Sequence, residues 1–340
     1  MRILFVDDEP RVLEALERMV MELVDDWEIE RAIGGEAALA VLASAPFDVI
    51  VSDMRMPGMD GAALLREVHV RHPHLTRIVL SGQTEQQSAM RALQVAHQFL
   101  SKPCRADVLV SVIQRAEALR ALVPSGRLRA LAAGVASLPW VSANVATLST
   151  LMRDPSASVV AVSEVIARDP GLAAKLLQFA NSSFFSGGQA SVDVRTAVGK
   201  VGLDTIRSAL GCGLFAPFVP SADDERVGTL QRDAEEAAAI AATMVPDARR
   251  REAHTAALLC DVGQLFLDGG EPGVGETHAA VGAYLLGLWG LPESIVDAVA
   301  AHHEVAARSG RDGALAAAVR SAHQLVAAGS TGSNVLGVAA

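Results

Sequence analysis

The 340-residue chain is short of several things at once. Aromatic side chains make up only 4%, with a single Tyr, although 51% of the residues are hydrophobic. Any core must therefore be aliphatic, and the abundance of Ala within that hydrophobic half favours helix. Cysteine is scarce: Cys104, Cys212 and Cys260 are far apart and form no C-x-x-C. An odd, widely spaced set points to a reducing compartment with free thiols. A basic surplus is missing as well. Lys and Arg number 29 against 39 Asp and Glu, a net charge of −10. Residues 1–125 hold 13 basic and 18 acidic side chains and the remainder 16 and 21, so neither part has the cationic excess that nucleic-acid phosphates or an anionic membrane surface would require. There is no long apolar run. The longest uncharged stretch, Ala130 to Met152, contains Pro139, Asn144 and several Ser and Thr, and is too polar to span a bilayer. The start, MRILFVDDEP, carries no signal-peptide hydrophobic region. The expectation is a cytoplasmic protein with no nucleic-acid binding and no membrane insertion.

The length suits roughly two domains at ~100–200 residues each. Over residues 1–122 strand-like and helix-like patterns alternate. RILFV (2–6), a stretch near 28–32, FDVIVS (47–52), TRIVLS (76–81) and HQFLS (97–101) read as strands. Segments 10–24, 35–44, 61–71, 83–94 and 104–122 read as helices, the first with Pro10 in its opening turn. Five β-α units imply an open five-stranded parallel sheet covered on both faces, with its chemistry at the carboxyl ends of the strands. Pro124-Ser125-Gly126 marks a boundary, and 123–127 reads as a linker. Beyond it strand signals nearly vanish. Helical stretches fall at 142–152, 158–168, 171–181, 194–201, 204–217, 226–244, 250–267, 277–289, 293–303 and 313–327, separated by Pro, Gly and Asp. The expected division is an α/β domain over 1–122, an all-α domain over 128–327, and a flexible tail from 328 to 340.

The strand ends carry the first chemistry. The first strand ends in Asp7-Asp8-Glu9, the third in Ser52-Asp53, the fourth in Ser81-Gly82, and the fifth is followed by Lys102-Pro103. Parallel strands gather these residues at one edge. Close carboxylates repel, and their pKa values rise unless a cation joins them. A hard, oxygen-seeking ion such as Mg²⁺ fits. A carboxylate beside it can accept a phosphoryl group, with Lys102 neutralising the added charge and Ser81 bonding a phosphate oxygen. Taken singly, Asp8 reads as a helix cap, Asp53 as a turn residue and Lys102 as a solvated charge. Such residues at successive strand ends, in order, carry more weight than each alone.

VDDEP, SDMRMPGMDG, LSG and FLSKP resemble the receiver domain of two-component response regulators, a flavodoxin-like fold, over about residues 1–122. The resemblance implies that Asp53 takes phosphate from a cognate histidine kinase or phosphotransfer protein. It implies that Asp7, Asp8 and Asp53, with the Arg55 backbone carbonyl, hold Mg²⁺. Ser81 is then the switching hydroxyl, Lys102 the phosphate partner and Phe99 the aromatic switch residue. A surface near helix 83–94 and strand 97–101 would respond, with a phosphorylation-linked homodimer as one outcome.

In the helical half, DPGLAAKLLQFANSSFF, AALLCDVGQL and THAAVGAYLLGLWGLPESIVDAVAAHHE resemble the HDOD domain, a helical output module of bacterial signalling proteins, over about 128–327. Asp169 reads as the cap of a helix begun by Pro170, and Asn181 as a hydrogen-bonding helix end. HDOD domains are related to HD-type metal phosphohydrolases, which need a His, an adjacent His-Asp pair and further His/Asp ligands. Here Cys260 replaces the His of the pair, and alignment puts Asp233 at the earlier His. Asp261, His278, His302 and His303 remain, while no GYP segment follows HHE. The implied site is degenerate: no metal and no catalysis are expected in this half, which docks another signalling protein instead. Cys260 then reads as a small buried residue of an apolar helix. Asp261 needs a partner that His278 or His302 could supply, and His302-His303 read as surface residues at a helix end. Two alternatives stay open: one residual metal bound by Asp261, His278, His302 or His303, with or without the thiolate, and a receiver-gated phosphohydrolase acting on cyclic dinucleotides.

Overall fold

The computed structural model describes residues 1–82, 92, 94–182, 185, 189–212, 224–267, 274–304 and 313–336, without the side chains of 224, 274–277 and 330–336. The chain divides into two compact units. The first is built on Met1–Ala136, the second mainly on Ser137–Asn181, Gln189–Gly287 and Leu291–Ala340.

In the first unit β1 (Arg2–Asp7), β2 (Glu28–Ile33), β3 (Val49–Asp53), β4 (Thr76–Gly82) and β5 (Gln98–Lys102) form one sheet. Its order is β2-β1-β3-β4-β5, with every pair parallel. The unbroken apolar runs of β1 and β3 suit strands covered on both faces. Ile3, Phe5, Val49, Val51, Ile78, Leu80 and Leu100 pack with Leu13, Leu16 and Val20 of α1 (Pro10–Met21), and with Leu109 and Ile113 of α4 (Ala106–Leu119). α2 (Gly35–Ser44) and α3 (Gly61–Arg71) complete the described cover. Asp60 caps α3 by accepting from the Ala63 N–H at 2.7 Å. The helix expected at 83–94 lies outside the described residues, save that Ala92 is helical and Gln94 is in a turn.

One element was not foreseen. α5 (Gly126–Ala133) begins inside the expected linker, N-capped by Ser125, and belongs to the first unit. The expected boundary at 128 falls within this helix. Ser-Gly was read as a break, but Ser at N-cap starts a helix as readily as it ends one.

The second unit contains helices and no strand among its described residues. They are α6 (Ser142–Leu151), α7 (Val159–Ile166), α8 (Pro170–Asn181), α9 (Val194–Val201), α10 (Leu203–Gly211), α11 (Asp224–Thr243), α12 (Arg250–Leu258), α13 (Val274–Leu288), α14 (Glu293–Ala300) and α15 (Gly313–Leu336). α8 is its buried centre. Asp169 caps α8 by accepting from Leu172 N–H at 3.1 Å, and its other oxygen accepts from Val141 N–H and Asn144 Nδ2, both at 3.0 Å. Asn181 closes the helix on Ser191, accepting from its N–H at 2.6 Å and donating to its carbonyl at 3.1 Å.

Three expectations change here. The apolar run 250–267 is not one helix: α12 stops at Leu258, Cys260 and Asp261 lie in a turn, and Val262–Leu265 is a 3-10 turn. The break lets Gly263 seat against α13, where a Cβ would come within 2.1 Å of the His278 carbonyl oxygen. The run 293–303 likewise ends at Ala300, with Ala301 to His303 in a turn. At the end of the chain α15 continues to Leu336, through most of the expected tail. The Ala-rich stretch 314–328 nucleates the helix, and each residue added beyond it gains a hydrogen bond despite Gly329 and Gly332.

Candidate functional sites

The register of the first sheet assembles the first site. Val6 pairs with Ser52, so Asp7 and Asp53 follow side by side at the carboxyl ends of β1 and β3. Both are buried, 2% and 7% exposed. Lys102, at the end of β5, reaches back to ion-pair with both carboxylates, its Nζ 3.1 Å from Asp7 Oδ2. Asp53 Oδ2 accepts from the Arg55 N–H at 2.6 Å, and Asp7 Oδ1 from the Glu9 N–H at 2.9 Å. α3 starts directly on this edge, because a Cβ on Gly61 would lie 2.1 Å from the Asp53 carbonyl oxygen. Ser81, fully buried, pairs with Ser101 one step before Lys102. Phe99 is buried in β5 opposite Val79. Asp8 lies one residue past β1, partly exposed, and Arg55 sits in the exposed loop after β3.

Burial pushes the Asp53 carboxyl above the usual carboxylate range; Lys102 opposes the rise and Asp7 adds to it. Burial also works to lower the Lys102 ammonium, but its bonds and charge interactions with Asp53 and Asp7 outweigh that and hold it above its ordinary value. One ammonium thus serves two buried carboxylates, with Asp8 beside them. The surplus negative charge and the all-oxygen donors suit a hard divalent cation.

The second site lies wholly in the helical unit. His278 on α13 brings Nε2 to 2.9 Å from Asp261 Oδ1, 3.2 Å from His302 Nε2 and 3.1 Å from His303 Nε2. His323 on α15 places Nε2 3.2 Å from Asp261 Oδ2. One ligand atom each of Asp261, His302, His303 and His323 falls within 4.8 Å of the others, a geometry able to hold a metal ion. Cys260, fully buried, donates its thiol weakly to Asp261 Oδ2 at 3.5 Å, and Gln264 Nε2 donates to Asp261 Oδ1 at 2.7 Å. Burial and the neighbouring Asp261 charge raise the Cys260 thiol well above its ordinary value. Burial also raises the Asp261 carboxyl, but the bonds to His278, His302 and His323 prevail and hold it well below the usual range. His323 is raised, first by its bond to Asp261, with the charges of Asp261 and Asp233 assisting against burial.

His302 is thus not a surface residue at a helix end, whereas His303 keeps part of its surface exposed. His302 has no exposure, because the turn after α14 folds it inward and Nδ1 bonds the Val299 carbonyl at 2.6 Å. Nor does Cys260 sit in a helix. Asp233, on α11, bears on the cluster through its charge on His323. His323 itself escaped the sequence reading. It shares the stripe of Val319, Ala322 and Val326, all buried, and a polar residue on such a stripe is the signal that could have found it.

Two family models match the chain. The response regulator receiver domain covers residues 3–114, and the HDOD domain covers 138–273 and 270–305. The DNA-binding transcriptional regulator NtrC of Salmonella typhimurium is 37% identical over 118 residues, 30% of this chain and 25% of that protein. The C4-dicarboxylate transport transcriptional regulatory protein DctD of Rhizobium meliloti is 36% identical over 134 residues, 39% of this chain and 29% of that one. The chain thus spans about a quarter of the length of the curated relatives it matches. Among solved structures, the MmoQ response regulator of Methylococcus capsulatus is 24% identical with a TM-score of 0.47, over 56% of this chain and 86% of that one.

Proposed function

The chain belongs to the response regulators, joining a receiver domain to an HDOD domain, and from that premise we propose that Asp53 is its phosphoacceptor and the HDOD half its non-catalytic output. The donor is a cognate histidine kinase or phosphotransfer protein. A carboxylate oxygen of Asp53 attacks phosphorus, the new P–O bond replaces the P–N bond of the donor phosphohistidine, and the imidazole leaves. The observation that carries this reading is the ion pairing of Lys102 to Asp7 and Asp53 at the carboxyl edge of the sheet. Asp7, Asp8, Asp53 and the Arg55 carbonyl are the groups that would hold Mg²⁺, which supplies positive charge for phosphate oxygens. Lys102 exchanges its carboxylate partner for the phosphoryl group, and the Ser81 hydroxyl donates to a phosphoryl oxygen. Phe99, buried in β5 opposite Val79, moves with Ser81.

The HDOD half transmits the phosphorylated state by contact with a second signalling protein, and a homodimer formed on phosphorylation is one form of that output. The setting is cytoplasmic. The described residues contain no helix long and apolar enough to cross a membrane. A second reading, a receiver-gated phosphohydrolase, draws on the convergence of Asp261 with His278, His302, His303 and His323. Against it stand the thiol in place of one ligand and, among the described residues, a single carboxylate in the metal-competent group.

Acetyl phosphate with Mg²⁺ tests the first reading. Phosphate-affinity electrophoresis of wild type should give a retarded species that Asp53→Asn lacks. A pull-down with the same two proteins should recover a partner whose yield depends on labelling. Equal labelling of both proteins would end the proposal. Hydrolysis of a cyclic dinucleotide, lost in Asp261→Asn, would establish the second reading.

A further inference from the structure

We propose that Asp261, His302, His303 and His323 bind one divalent transition-metal ion in the helical half, with His278 hydrogen-bonded beside them. This goes beyond the receiver reading and does not depend on it.

The spacing of the donor atoms is the first argument. Ligands about 2.0–2.1 Å from a tetrahedral ion lie ~3.3–3.4 Å from one another. Here His323 lies 3.2 Å and His302 3.7 Å from Asp261, and one donor atom from each of the four residues falls within 4.8 Å of the others. These are the edges of a coordination shell, contributed by three separate stretches of chain.

Proton placement is the second. The Val299 carbonyl can only accept, so the 2.6 Å contact puts a hydrogen on His302 Nδ1 and leaves the Nε2 of the neutral ring as an inward lone pair. His278 Nε2 faces Asp261 Oδ1, His302 Nε2 and His303 Nε2 together, and a neutral ring has at most one proton there to share among three acceptors. Lone pairs left facing a common volume call for a cation.

The donors also select the ion. Imidazole nitrogens suit Zn²⁺, Fe²⁺, Co²⁺ or Ni²⁺, whereas Mg²⁺ prefers carboxylates and water. With one carboxylate in the cluster, one ion is held, not a bridged pair. The Cys260 thiol and the Gln264 amide both donate to the carboxylate of Asp261. They orient a ligand from outside the shell, as the Val299 carbonyl orients His302. His323 completes the set from α15, making this a rebuilt site and not only a remnant.

The test uses the full chain, stripped with chelator, desalted, and dialysed against Co²⁺ or Zn²⁺ with excess Mg²⁺ to occupy the receiver. Wild type and Asp53→Asn should each retain one equivalent, and the Co²⁺ form should show d–d bands without a thiolate charge-transfer band. His323→Gln and His302→Gln, shown to be folded by circular dichroism, should bind at least ~100-fold more weakly, beyond the 10–100-fold typical of losing an orienting partner. Cys260→Ser should keep the ion. The proposal fails if wild type retains no Co²⁺ or Zn²⁺, if folded His323→Gln binds as tightly as wild type, or if Cys260→Ser abolishes binding.

Discussion

Arg77 donates from Nη2 to the carbonyl oxygen of Ala133 across 2.7 Å, tying β4 to the end of α5, and its guanidinium is wholly shielded from solvent. The same side chain donates from Nε to Val95 O at 2.6 Å and from Nη1 to Pro73 O at 3.2 Å and Leu75 O at 3.1 Å. His97 completes the arrangement. Its Nδ1 accepts from the Arg77 backbone N–H at 3.0 Å, so a neutral ring carries its proton on Nε2, 2.9 Å from the Ala133 oxygen. Burial lowers the guanidinium pKa to about 9, which leaves it charged at neutral pH.

Arg77→Met keeps the length and the apolar stem but leaves buried carbonyls without a donor, each a cost of about 1–3 kcal/mol, offset in part by no longer burying a charge. A net loss of about 2–3 kcal/mol in urea unfolding is expected. Amide exchange should quicken first over residues 126–133, since α5 is short and its hold on the sheet includes this bond. Unchanged exchange there would mean that α5 is kept in place by other contacts.

Lys102→Met leaves Asp7 and Asp53 buried side by side without a counter-charge. Because Lys102 is about a third exposed, the cost is discounted from the buried-pair range to about 1–3 kcal/mol at neutral pH. The deficit belongs to the ionised carboxylates, so it should shrink as pH falls and they take up protons. Mg²⁺ should stabilise both proteins by mass action, by about 2.7 kcal/mol at a hundredfold excess over its Kd. Urea midpoints at neutral and acidic pH, with and without Mg²⁺, measure both effects.

Much of the receiver was legible because its signals are local. The apolar runs of β1 and β3 announce buried parallel strands, and the position of Asp7, Asp53, Ser81 and Lys102 at strand ends survives a boundary error of a residue or two. The helical site was only half legible. Asp261, His278, His302 and His303 stood out by type, but whether His302 pointed in or out depended on a turn after Ala300 that periodicity does not encode. His323 looked like an ordinary helical residue, since its partners come from distant stretches of chain. Arg77, inside TRIVLS, gave no sign that a strand residue would cap the end of a helix 56 positions away.

Lys175 offers a pH test of the helical core. It is 2% exposed on α8, its Nζ donates to Gln178 Oε1 at 2.9 Å, and burial lowers its pKa from 10.5 to about 7. The unfolded chain therefore holds a proton that the folded chain gives up between pH 7 and 10.5. This group's contribution to stability is complete above 10.5 and is lost as pH falls toward 7. Lys175→Met should be more stable than wild type at pH 7, by on the order of 3 kcal/mol. The gap should narrow as pH rises toward 10. Urea unfolding of both proteins at several pH values gives the difference directly, and a gap independent of pH would assign a bound proton to Lys175 in both states.

Each site rests on a glycine at a close approach, and that predicts separable defects. A Cβ at Gly61 would meet the Asp53 carbonyl oxygen at 2.1 Å, and one at Gly263 would meet the His278 carbonyl oxygen at the same distance. In both places the obstacle is backbone, so the strand end or the turn must shift, at a cost of about 1–3 kcal/mol. Gly61→Ala should displace Asp53 from Lys102 and slow acetyl phosphate labelling several-fold. Gly263→Ala should pull the Asp261 turn away from α13, weaken Co²⁺ binding at the histidine cluster, and leave labelling at the wild-type rate, because residue 263 belongs to the second unit and the phosphoacceptor to the first. Measuring both readouts on both variants sorts the outcomes. If Gly263→Ala loses labelling while remaining folded, the turn at 261–265 serves the receiver as well as the cluster; if it keeps full Co²⁺ affinity, Asp261 is not a ligand.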